Sequence, residues 1–195
     1  MDAPDSRARR RALCAAALAA AAWPVLGRAQ DAPLSYHGGR IAPPVPVPDW
    51  PVRTADGRET RLQALLAGRV TALQLFFTGC SATCPIQGAV FQRVQALLGS
   101  RRRADVQLLS LSIDPLSDTP QRMKAWLARF DARPGWVAAA PSLSNVDAVQ
   151  RLFGGGTTGL DNHSTQVQVI DRDGRLIWRT YELPSAESIV SMLGR

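Results

Sequence analysis

Val70-Thr71-Ala72-Leu73-Gln74-Leu75-Phe76-Phe77-Thr78-Gly79-Cys80-Ser81-Ala82-Thr83-Cys84-Pro85 is the stretch on which the fold turns. Val70 to Phe77 is a nearly continuous apolar run of strand length, the pattern of a strand buried on both faces. Pro85 suits the first turn of a helix, which places two cysteines, with three residues between them, between the end of a buried strand and the start of a helix. In open α/β sheets that edge is where ligands bind.

Working outward from this segment, helix and strand patterns alternate. A helix is expected over Ile86 to Leu98, with Ile86, Val90, Val94, Leu97 and Leu98 on its apolar face and Gly99 as its stop. Val106 to Ile113 reads as a second buried strand, and Thr119 to Phe130 as a second long helix entered through Pro120. Val137 to Ala140 reads as a short strand, and Ser144 to Phe153 as a helix opened by a capping box of Ser144 and Asp147. A hairpin follows, with strands Thr165 to Ile170 and Leu176 to Tyr181 joined through Asp171-Arg172-Asp173-Gly174, and a helix over Ser185 to Leu193 ends the chain. On the N-terminal side, Asp56-Gly57 between Val52 to Thr54 and Glu59 to Arg61 signals another hairpin. Leu62 to Leu66 then makes a helical turn ended by Gly68. This order predicts an α/β fold, a thioredoxin-like sandwich with a central mixed sheet flanked by helices.

With 195 residues, 46% of them hydrophobic and 20% charged, the chain is expected to bury one core. Residues 1–29 read as an export signal: a basic segment from Arg7 to Arg11, an apolar run from Ala12 to Trp23, and the small residues of Gly27-Arg28-Ala29. Arg10-Arg11 loosely resembles a twin-arginine signal. The apolar run is short for a span, which takes about 20 residues, so membrane association is expected only if this segment is retained. Residues 30–51, dense in proline between Pro43 and Pro51, read as an extended linker, and residues 52–195 as the domain. Of the net charge of +7, the signal holds a part, through Arg7, Arg9, Arg10, Arg11 and Arg28 against Asp2 and Asp5, and the rest is spread along the remainder of the chain. The later cluster Arg101-Arg102-Arg103 has no interleaved aromatic residues to stack bases, which argues against nucleic acid as a partner.

Removal of the signal takes Cys14 with it and leaves Cys80 and Cys84 in a chain expected in the periplasm, an oxidising compartment where thiols are paired, metal-bound or kept reduced by a dedicated donor. Placement of Cys84 at a helix N-terminus is expected to favour its thiolate, and thiolates select soft ions such as Cu(I) and zinc. Three intervening residues allow one helical turn between the sulfurs, so both can face one ion. An inert disulfide is the plainer reading, although a bridge across so short a loop stabilises little. His163 is the one histidine inside the expected domain and falls just before a strand, where it could join the thiols as a third ligand.

Phe77-Thr78-Gly79-Cys80-Ser81-Ala82-Thr83-Cys84-Pro85, Ser112-Ile113-Asp114-Pro115-Leu116-Ser117-Asp118-Thr119-Pro120, Asp161-Asn162-His163-Ser164 and Asp171-Arg172-Asp173-Gly174 together resemble the successive motifs of the Sco/SenC family. The resemblance implies a thioredoxin-like fold and one copper ion, Cu(I) or Cu(II), held by Cys80, Cys84 and His163. It implies a periplasmic metallochaperone that delivers copper to the binuclear centre of cytochrome c oxidase. The partner is then the oxidase's copper-bearing subunit or another periplasmic copper protein. Ser81-Ala82 and Asn162 depart from the family's usual Pro-Asp and Asp at those places. Asp114 is a candidate supporting group for the ligands or a plain turn former before Pro115. The alternative function is an enzymatic one. Cys80 and Cys84 would be a redox-active pair, able to close a disulfide, in a thiol-disulfide oxidoreductase that keeps the oxidase subunit's cysteines reduced. A peroxide-reducing variant of that chemistry fits less well, because Phe77 stands where such a loop needs proline.

Overall fold

The computed structural model describes residues 38–99, 104–154, 164–181 and 183–194. The expected signal, Arg101 to Arg103 and His163 lie outside them. Eight strands among the described residues form one sheet: β1 (Gly39–Pro46), β2 (Pro51–Thr54), β3 (Glu59–Arg61), β4 (Val70–Phe76), β5 (Val106–Ser112), β6 (Trp136–Pro141), β7 (Gln168–Ile170) and β8 (Arg175–Arg179). Their order across the sheet is β1-β8-β7-β4-β5-β6-β2-β3. The helices are α1 (Leu62–Leu66), α2 (Thr83–Leu98), α3 (Pro120–Arg129), α4 (Val146–Phe153) and α5 (Ala186–Leu193).

Strands β4, β5 and β6 run parallel, with Val70 beside Val106 and Leu108 beside Trp136. On its other side β4 pairs antiparallel with β7, and β7 with β8. The expected mixed sheet is therefore present, and every residue of β4 and β5 is buried, as their unbroken apolar runs require. Because side chains alternate across a strand, each central strand supplies two cores. Val70, Ala72 and Phe76 of β4 join Phe91 and Val94 of α2, Met123 and Trp126 of α3, and Ile189 of α5. Leu73 and Leu75 point the other way, toward Leu62, Leu65 and Leu66 of α1 and Val149, Leu152 and Phe153 of α4.

Three expectations are corrected. The proline-rich stretch expected as a linker up to Pro51 is extended, but Gly39–Pro46 forms β1 and pairs with β8. Prolines are tolerated there because β1 lies at the sheet edge and its ladder is interrupted between Arg40 and Val45, where Pro43 and Pro44 fall. Val47 is buried and the Trp50 ring meets Phe153 edge-on at 6.3 Å, so packing begins before Val52. Helix α2 starts at Thr83 rather than Ile86 and turns a different face inward: Gln87, Gly88, Phe91, Val94 and Gln95 are buried while Ile86 is 54% exposed. A Cβ at Gly88 would sit 2.4 Å from the Phe130 ring, so the absent side chain is what lets that ring pack against α2. Finally, α4 begins after a 3-10 turn over Leu143–Asn145, with Asn145 as its N-cap and no side-chain cap. The Asn145 amide donates instead to the Ser142 hydroxyl at 2.7 Å, which replaces the expected box of Ser144 and Asp147.

Candidate functional site

The C-terminal end of β4 leads into a tight turn. The Cys80 N–H donates to the Phe77 carbonyl at 3.2 Å, and α2 begins three residues later. Cys80 and Cys84 are brought together by this turn and by the first turn of α2, and neither is in a disulfide. Their surroundings differ. Cys84 is 3% exposed and belongs to the core formed by Phe76, Phe91 and Trp126, whereas Cys80 is half-buried and only packs against that core.

The first N–H groups of a helix lack intrahelical partners, and Ala82, the N-cap of α2, has no side chain to satisfy them. The Cys80 sulfur takes that place, accepting from the Cys84 N–H at 3.3 Å with the Thr83 hydroxyl 3.8 Å away. Burial works against the Cys80 thiolate, but the Cys84 thiol, the Cys84 and Ala82 N–H groups and the Thr83 hydroxyl outweigh it and lower the Cys80 pKa. For Cys84, burial and its role as donor to Cys80 push the thiol up to about 12. The expectation that the helix N-terminus would favour the Cys84 thiolate is thus corrected. The N–H groups of α2 serve the thiol outside the helix, and the thiol on the helix is turned into the core.

His163 lies outside the described residues, but Ser164, the residue after it, does not. The Gln87 amide donates to the Ser164 carbonyl at 3.0 Å. Ser164 also lines a small cavity with Phe77, Thr83, Cys84 and Gln87. Among the described residues, no third Cys, His, Asp or Glu gathers with the two cysteines into a group that could hold a metal ion. Asp114 is engaged in its own turn, its Oδ1 accepting from the Ser117 N–H at 3.2 Å and its carbonyl from the Asp118 N–H at 2.9 Å.

Asp118 is the acidic residue that reaches the cysteine turn. It is 2% exposed, and its Oδ1 accepts from both the Thr78 N–H (2.9 Å) and the Thr78 hydroxyl (2.6 Å), while its Oδ2 accepts from the Ser112 hydroxyl (2.6 Å). In sequence Asp118 stands in the Ser112 to Pro120 motif with no role of its own, and the cap of α3 is its neighbour Thr119, whose hydroxyl accepts from the Arg122 N–H at 3.3 Å. Gln87 was equally hidden. It sits at a polar position of an apparently amphipathic helix, and only the distant Ser164 carbonyl explains its burial.

The family model described as SCO1/SenC matches residues 47–195. The chain is 32% identical over 75 residues to the SCO1 protein homolog of Bacillus subtilis, a stretch that covers 38% of each chain. It spans about two-fifths of the length of the curated relatives it matches. Among solved structures, the fold is similar to Bradyrhizobium japonicum ScoI with copper bound, at a TM-score of 0.61 and 21% identity, covering 82% of this chain and 98% of that one. It is also similar to a member of the Sco family of cytochrome c oxidase assembly proteins in which a disulfide switch was identified. There the TM-score is 0.66 and the identity 21%, over 77% of this chain and 92% of that one.

Proposed function

The chain belongs to the SCO1/SenC family, and from that premise we propose that it is an exported, periplasmic copper-handling factor in cytochrome c oxidase assembly. Copper is its cargo, taken on Cys80 and Cys84 with His163 as third ligand and passed to the oxidase's copper-bearing subunit. Two thiolates and an imidazole suit copper well. The observation that carries this reading is the hydrogen bond from Gln87 to Ser164, because it ties the residue following His163 to α2 three residues beyond Cys84. The copper-bound ScoI of Bradyrhizobium japonicum supports the choice of metal. The test is copper titration of the reduced chain. One ion should bind tightly, and His163→Ala should weaken binding at least about tenfold while both thiols still titrate. Unchanged affinity would leave His163 a bystander.

Copper requires thiolates, and a Cys80–Cys84 disulfide has none, so oxidation and loading exclude one another. Tight binding is therefore expected only after reduction. A second reading, thiol-disulfide exchange with the oxidase subunit's cysteines, is favoured by the inequality of the two thiols. An accessible sulfur with a lowered pKa suits attack, and a buried one suits resolution. That activity should persist in His163→Ala and vanish in Cys80→Ser.

A further inference from the structure

We infer that Asp118 is a positioning residue for the thiol pair: by gripping Thr78 it holds the turn that sets the Cys80 sulfur over the first turn of α2. This rests on Cys80 and Cys84 being the working pair, whichever of the two chemistries they serve.

The turn from Phe77 to Cys80 needs an outside anchor. A Cβ at Gly79 would meet only the Phe77 ring, at 3.8 Å and beyond, so close packing does not lock the middle of the turn. What binds it is polar. The Cys80 N–H reaches back to Phe77, and Thr78 donates twice to one Asp118 oxygen. The other Asp118 oxygen is held by Ser112 at the end of β5, whose hydroxyl also accepts from the Asp114 N–H at 3.0 Å. The Asp118 N–H in turn donates to the Asp114 carbonyl. The carboxylate thus clamps the loop after β4 to the loop after β5, and a shift of either is felt by the other.

The polarity of these bonds tells a positioning role from a role of charge. An ionised carboxylate only accepts, whereas an amide offers one accepting oxygen and one donating nitrogen. In Asp118→Asn the oxygen can keep both Thr78 bonds while the nitrogen donates to the Ser112 hydroxyl, which can turn to accept. Asparagine should therefore preserve the clamp, and alanine should lose it.

The experiment uses the reduced full chain and reads each thiol separately by mass mapping after timed alkylation with iodoacetamide. Equilibration of the pair with reduced and oxidised glutathione is the second readout. In Asp118→Ala the rate at Cys80 should fall roughly tenfold, the loss expected when hydrogen bonds to a charged group are removed. The glutathione equilibrium should shift, and Asp118→Asn should restore both to near the wild-type values. Thr78→Val, which keeps the N–H and removes the hydroxyl, should move both readouts in the same direction by less, and it decides the matter if Asp118→Ala does not fold. Wild-type behaviour at Cys80 in Asp118→Ala and Thr78→Val would overturn the inference. So would an asparagine variant as impaired as the alanine one, since charge rather than placement would then be the cause. Neither readout uses copper, so a failure of the copper reading leaves this result standing and is detected separately by metal titration.

Discussion

The two faces of the central sheet are built from different materials. On the face covered by α1 and α4, Leu73, Leu75, Leu109 and Leu111 meet Leu62, Leu66, Val149 and Phe153, a mainly aliphatic core with Trp50 and Phe77 packed at its margin. On the face covered by α2, α3 and α5, Phe76, Phe91, Trp126, Phe130 and Trp136 pack at ring separations of 4.4 to 6.3 Å, and polar groups run between them. Gln74 and Trp136 both donate to the Ser110 hydroxyl at 3.0 Å, and the Ser112 hydroxyl donates to Asp118. The cysteines lie at the end of this second face. Both faces bury polar side chains, Gln107 donating to the Leu65 carbonyl at 2.8 Å and Arg179 to the Leu152 carbonyl at 2.6 Å on the first, but on the second they lead through Ser112 and Asp118 to the cysteine turn.

The largest expected effect sharpens that division. Leu109 is fully buried on the aliphatic face, and Leu109→Ala should cost about 3 kcal/mol through lost burial and a residual cavity. Urea unfolding measures the loss, and alkylation of Cys80 in the folded variant should stay at the wild-type rate. A changed rate would mean that the faces are not independent.

The thiols provide the next test. At pH 7.5 Cys80 should alkylate at least about a hundredfold faster than Cys84, because thiolate is the nucleophile and only Cys80 has its pKa lowered. The folded pKa of Cys84 is raised from its ordinary 9.0 to about 12. The stability gained by keeping it protonated is therefore fully present below about pH 9 and is lost as pH rises toward 12. Cys84→Ala should flatten that alkaline limb in denaturation measured across the range. An unchanged slope would show that Cys84 is not the group titrating.

Gly88→Ala places a methyl against the Phe130 ring on the aromatic face and should lower stability by about 2 kcal/mol through overpacking, read from the thermal midpoint. The smallest effect is expected for Gln74→Leu. The Gln74 Oε1 has no hydrogen-bond partner, and Ser110 keeps its bond from Trp136. Stability should therefore change by less than about 1 kcal/mol. A larger loss would mean that the polar groups of this face act as one network.

The hairpins, the buried strands and the entry of α3 were legible in the residues because their signals are local: Asp56-Gly57, the Val70 to Phe76 run, and Pro120. The inward face of α2 was not. Gln87 and Gln95 are buried because their amides meet partners far along the chain, the Ser164 carbonyl at 3.0 Å and the Asp131 carbonyl at 2.9 Å, and hydrophobic periodicity cannot register such partners. The same blindness hid β1, whose prolines suggest a linker until β8 is alongside.

For the site, the amino-acid order by itself determined which thiols are paired, at the end of which strand, and within which family of motifs, since all of these follow from identity and spacing. The folded structure decided how the two thiols differ. The helix N–H groups point at Cys80, the core encloses Cys84, and Asp118 reaches across from a neighbouring loop. A pKa and a hydrogen bond depend on what surrounds a group in space: for Cys80 that is its own helix turn, but for Cys84 and Asp118 the surroundings come from segments distant along the chain.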